Sequence, residues 1–116
     1  MKTEKILLAV TLPAAVALTR LRMVNFSGSL PAANDFVLGV ANADYAEGEQ
    51  AGVNVQGEIL VETGGAIDVG AFVASDAQGR AVVYSAELTS VPFGISRDAA
   101  SGAGDIVRVV RVAIMG

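Results

Sequence analysis

The sequence predicts an all-β protein: a small single-domain β-barrel or β-sandwich of about seven to nine short strands, preceded by an N-terminal arm. Three observations lead there. The chain is 53% hydrophobic but only 5% aromatic, with valine and alanine dominant and 13 glycines spread along 116 residues. Valine-rich segments cut by glycine favour strands and turns. The segment Val53–Glu62 places Val, Val, Gly, Ile and Val at odd positions and, Leu60 apart, polar residues at even ones, the period of a strand with one buried face. Asp76-Ala77-Gln78-Gly79 then has the composition of a turn between two apolar runs. At this length a single core forms without covalent staples, burying roughly two thirds of the unfolded surface.

In chain order, residues 6–18, ILLAVTLPAAVAL, form the opening apolar run. A membrane helix needs about 20 apolar residues, so the run is too short to span a bilayer and no membrane partner is expected. Lys2 and Lys5 before it and Ala15-Val16-Ala17 within it also fit a secretion signal, which would make residues 1–17 a cleaved leader on an exported β-domain. The preferred reading keeps the run: two short β segments separated near Pro13, with residues 1–19 an arm for contact with another subunit or shell and residues 20–116 the β domain. Leu18–Val24 alternates charge and bulk and is expected to be a strand. Ser27-Gly28-Ser29 and Asn34-Asp35 supply turns on either side of Pro31.

Gly57, inside the Val53–Glu62 strand, predicts a bend or a close backbone approach. Thr63-Gly64-Gly65 turns into a strand over Ile67–Ala74, and the Asp76–Gly79 turn returns as Arg80–Tyr84. In Asp105–Ile114 the apolar parity slips: Arg108 opposes Val107 and Val109, whereas Arg111 shares their parity. A β-bulge near Val109 and Val110 would put both arginines outside; the alternative is a doubly buried strand with its arginines paired to acids. An internal echo is also visible. Leu38-Gly39-Val40, Gly48, Val53 and Val55 recur as Phe93-Gly94-Ile95, Gly102, Val107 and Val109.

Most catalytic chemistry is missing its residues. With no Cys and no His there are no thiolate nucleophiles, no imidazole base and none of the usual zinc ligands. Both lysines lie at positions 2 and 5, so neither a phosphate-binding loop nor a swinging-arm carrier lysine is present. Ser101–Asp105 reads as a hairpin loop. The carboxylate pairs Glu47/Glu49 and Glu58/Glu62 fall on a solvated face and need no acid–base role. The expectation is no enzyme, no catalytic residue, no metal site and no cofactor.

Charge is partitioned. Lys2, Lys5, Arg20 and Arg22 face a single Glu4 in residues 1–22, and residues 23–79 carry eight acids and no base. The acidic middle repels phosphate, so nucleic acid is not an expected partner.

The order of the elements resembles a known family. Leu38-Gly39-Val40, Ala46-Glu47-Gly48-Glu49, Val53-x-Val55-x-Gly57, Gly64-Gly65-Ala66-Ile67-x-x-Gly70-Ala71-x-Val73, Asp76-Ala77-x-Gly79-Arg80-Ala81, Phe93-Gly94-Ile95 and a Val/Arg-rich end together resemble the tailed-phage capsid cement, or decoration, proteins. The resemblance runs from Arg20 to Ile114. It implies a non-enzymatic virion protein, made in the host bacterial cytoplasm, that binds the major capsid protein on the outer head surface as homotrimers and stabilises the shell. It carries no catalytic residue over. Contact residues are expected from physics instead: Ile6, Leu7, Leu8, Val10 and Leu12 offer more apolar surface than one small strand needs, and Lys2, Lys5, Arg20 and Arg22 suit acidic patches on copies or shell.

Overall fold

A computed structural model describes residues 2–32, 36–85 and 92–111. The strands are β1 (Lys5–Pro13), β2 (Met23–Asn25), β3 (Val37–Ala41), β4 (Gln50–Glu62), β5 (Phe72–Ser75), β6 (Ala81–Val83), β7 (Gly94–Ser96) and β8 (Ile106–Arg111). They form one sheet in the order β2-β3-β4-β8-β7-β5-β6, with β1 paired to β4 off this path. Among the described residues every strand ladder is antiparallel, and one isolated bridge, Thr63↔Ala81, is parallel. The two ends of the order meet where the Met23 amide donates to the Gly79 carbonyl at 2.7 Å, so the sheet is a nearly closed barrel. The all-β expectation holds.

β4 organises the molecule. Its first part pairs with β1 from Pro13↔Gln50 to Lys5↔Glu58, and its second part pairs with β8 from Gly57↔Arg111 to Glu62↔Ile106. Gly57 sits at the overlap with φ of 120°, and a Cβ there would collide with the Lys5 carbonyl oxygen. The close approach that its position in the strand predicted is therefore the crossing of β1. Ile59, Val61, Val107 and Val109 line the main core with Met23, Val40, Val73 and Phe93. A smaller cluster holds Ala14, Leu18, Val24, Ala41 and Ala51.

Several expected elements are shorter or differently built. The strand expected over Leu18–Val24 is confined to Met23–Asn25; residues 20–22 turn, and Leu21 takes a left-handed φ of 70°. Alternation there reports a loop with buried anchors: the Leu21 amide donates to Ala41 (3.0 Å), and its carbonyl accepts from Glu62 (2.8 Å). The strand expected over Ile67–Ala74 begins only at Phe72, because Ile67 is held by an isolated bridge to Ala100 and Gly70 turns the chain. The Asp76–Gly79 turn closes as expected, with the Gly79 amide on the Asp76 carbonyl and the Asp76 carboxylate accepting from the Gln78 and Arg80 amides. Asn34-Asp35, Val112 and Ile114 lie outside the described residues.

β8 corrects the expected bulge. Its register against β4 is unbroken from Ile106 to Arg111, so Arg111 does point inward with Val107 and Val109. It is fully buried, donating to the carbonyls of Val37 (2.7 Å), Val55 (3.2 Å) and Leu38, with its Cζ 4.4 Å from the centre of the Phe93 ring. Of the two arginines only Arg108 pairs with acids among the described residues, Asp98 at 2.8 Å and Glu58 at 3.6 Å. The inner arginine places its two terminal nitrogens on backbone carbonyls and leaves its buried Nε without a hydrogen-bond partner, an arrangement no sequence pattern displays.

The internal echo is real but in a shifted register. Gly39 lies against Val53 and the Asn54 carbonyl, and Gly94 lies the same way against Val109 and the Val110 carbonyl. Val53 thus corresponds to Val109, and the left-handed Gly48 (φ 90°) to Gly104 (φ 88°) rather than to Gly102. The correspondence extends along the chain. Met23↔Val40 and Val24↔Gly39 match Phe72↔Ile95 and Val73↔Gly94; Pro13↔Gln50 matches Glu62↔Ile106. The bridge Leu18↔Tyr45 matches Ile67↔Ala100. The amides of Leu21, Gly48, Gly70 and Gly104 donate in turn to the carbonyls of Ala41, Ala14, Ser96 and Thr63. The barrel is therefore two equivalent units, β1-β2-β3-β4 and β4-β5-β7-β8, sharing β4, with β6 inserted in the second.

Candidate interaction surface

β1 is the element on which most of the expected contact residues converge. Among the described residues it pairs with β4 alone, so its other edge carries no ladder there. Such an edge is open to another chain. The pairing slips between Ile6 and Leu8 and again between Leu8 and Ala9, so Leu7 is passed over. An extra residue of this kind re-aims its neighbours. Here two successive leucines face outward, Leu7 67% and Leu8 43% exposed. Ile6 packs against the main core, and Val10 and Leu12 are half-buried on the inward side of the strand.

The basic residues divide into two places. Lys2 and Lys5 are exposed at the start of β1. Lys5 lies opposite Glu58, whose carboxylate takes Arg97 at 2.8 Å and Arg108 at 3.6 Å. The hydrogen bond from Arg108 holds Asp98 well below the usual carboxylate range, at about 2, and the charge on Lys2 adds to the effect. The same pairing raises Arg108 above its ordinary value. Lys2 therefore joins an alternating network of acids and bases at one end of β1. Arg20 and Arg22 lie elsewhere, in the turn before β2. Arg20 is exposed, with its amide on Asp44 at 2.8 Å, while Arg22 is half-buried and paired with Glu62 at 3.1 Å.

A second apolar patch escapes sequence reasoning. Phe72↔Ile95 and Ile95↔Val110 are ladder partners across β5, β7 and β8, so their side chains share one face. All three are exposed. Phe72 and Ile95 are each the one exposed residue of their strand and Val110 shares β8 with exposed Ile106, and only the pairing joins the three. Among the described residues no group of three or more His, Cys, Asp or Glu side chains converges. The geometry offers surfaces for contact: an open strand edge with outward leucines, a charged network beside it and an apolar stripe on another face.

Comparison with known proteins agrees in kind. No curated protein matches the chain. Among solved structures the fold is similar to the crystal structure of the head fiber gp8.5 N base of bacteriophage phi29, with a TM-score of 0.73, 23% identity, and coverage of 90% of this chain and 92% of that one. The sequence matches the phage cement protein family over residues 1–113, nearly its whole length, which adds the residues before Arg20 to the span on which the resemblance was read. The chain belongs to the phage cement protein family.

Proposed function

We propose that this protein is a structural component of a phage head that binds the outer surface of the assembled shell, through the major capsid protein, and stabilises it as a homotrimer. Membership of the cement family over residues 1–113 carries the reading. The open edge of β1 supports it: a shell binder adds modest contacts over a wide surface, and exposed apolar area of the Leu7 and Leu8 kind contributes roughly 25 cal/mol per Å² when covered. Lys2 and Lys5 steer that edge toward acidic patches on shell or neighbouring copies. Arg20 contributes at the rim, and Arg22 acts mainly by fixing the turn through Glu62. The protein works without catalysis or cofactor, and its place is the virion, after synthesis in the host bacterium. Membrane and nucleic acid have no part in this role.

The test is cosedimentation of the purified protein with undecorated heads, followed by imaging of the particles. Wild-type protein should occupy the outer lattice at regular positions with threefold density. Leu7→Glu/Leu8→Glu, which alters only outward side chains, should lower occupancy at least tenfold while circular dichroism stays unchanged. Absence of lattice density for the wild type rejects the proposal.

A further inference from the structure

The two units are equivalent strand for strand, yet their surfaces differ. In the second unit Ile59 and Val61 of β4 are completely buried, sharing one core with Met23, Val37 and Val40 of the first unit. The matching residues of the first unit, Val10 and Leu12 of β1, are only half-buried. The converse also holds. Met23 and Val40 are 0% exposed, whereas their counterparts Phe72 and Ile95 are 46% and 40% exposed, with Val110 beside them at 38%. The chain thus makes one contact with itself, the β2–β3 face of the first unit against the β4 face of the second, and leaves the other copy of the first face exposed and the other copy of the second only half covered.

We propose that these two remaining faces meet between molecules: the Phe72, Ile95 and Val110 stripe of one copy covers Val10 and Leu12 of the next. The occupant is a second copy because the chain already carries both halves of the contact and already joins their equivalents internally, so the new interface continues an existing one. Charge agrees. Exposed Lys2 and Lys5 flank β1, and exposed Asp68 stands in the loop that leads into Phe72. The faces differ, so the contact is head to tail, and such contacts close into a ring when the rotation between copies permits. This deepens the homotrimer reading and rests on it for the size of the ring.

The absence of native cysteine makes the test clean. Ile95→Cys and Leu12→Cys proteins are prepared separately, mixed and oxidised, and their products compared with the sedimentation of wild type. The expected result is a covalent pair only in the mixture, neither variant linking to itself, and a closed covalent ring of native oligomer mass from the double variant. Ile95→Asp/Val110→Asp, which changes only exposed positions, should weaken self-association at least tenfold with an unchanged circular dichroism spectrum. Self-linking of either single variant, or no link in a mixture whose wild type is oligomeric, overturns the proposal, as does a wild type that stays monomeric both in solution and on heads. Rings that form yet fail to cosediment with heads uphold the contact and reject the capsid reading.

Discussion

At Arg111 a guanidinium occupies a position whose strand parity belongs to valine. Burial pushes its pKa down to about 10, so it stays charged at neutral pH, and the carbonyls of Val37, Leu38 and Val55 stand in for water. Arg111→Met keeps the apolar stem but strands those acceptors. An unpaired buried acceptor costs about 1–3 kcal/mol, so a loss of about 3 kcal/mol in urea unfolding is expected. Arg111→Lys should recover only part of this, because one ammonium cannot reproduce the planar fork. Asp98 gives a second residue-scale prediction. Its folded pKa of about 2 lies below the ordinary 3.8, so the carboxylate contributes stability that is fully present above about pH 4 and is lost as pH falls toward 2. Asp98→Asn should flatten the acid limb of a stability–pH curve over that window and leave the neutral range without added slope.

The left-handed turn position is the feature the elements share. Gly48, Gly70 and Gly104 occupy it with open space where a Cβ would stand, so replacement by alanine is resisted by backbone conformation alone, about 1–2 kcal/mol each. Gly57→Ala should cost more, because its Cβ also meets the β1 backbone. Native-state hydrogen exchange should then show β1 amides protected less than those of β8, whereas equal protection would mean that β1 finds another course past β4. Much of this level was legible: the alternation of β4, the Asp76–Gly79 turn and the tight passage at Gly57 follow from local chemistry. What was not legible depends on partners. Leu18–Val24 alternates because Leu18 and Leu21 are anchored by distant carbonyls, and Arg111 reads as a phase error until β3 is placed beside it. Phe72, Ile95 and Val110 become a patch only through ladder pairing, while the leucines of β1 stood out at once because they are contiguous.

For the whole molecule, the shared strand makes the two units interdependent. β4 closes the first unit and opens the second, so neither keeps its sheet without the other, and unfolding should be a single transition. The chain has no Trp, so Tyr45 in the first unit and Tyr84 in the second serve as probes. Tyr84→Phe and Tyr45→Phe proteins, each followed by the remaining tyrosine, should give superimposable urea curves. Separated midpoints would show that the units melt independently.

Side by side at the middle of β4, Ile6, Gly57 and Arg111 form one row, and Lys5, Glu58 and Val110 the next. The first and last strands of the barrel therefore arrive on opposite edges of the same two residues. Labels at Lys5 and Val110, one on each side of Glu58, would stand two strand spacings apart, roughly 10 Å, and would separate if β1 left the sheet.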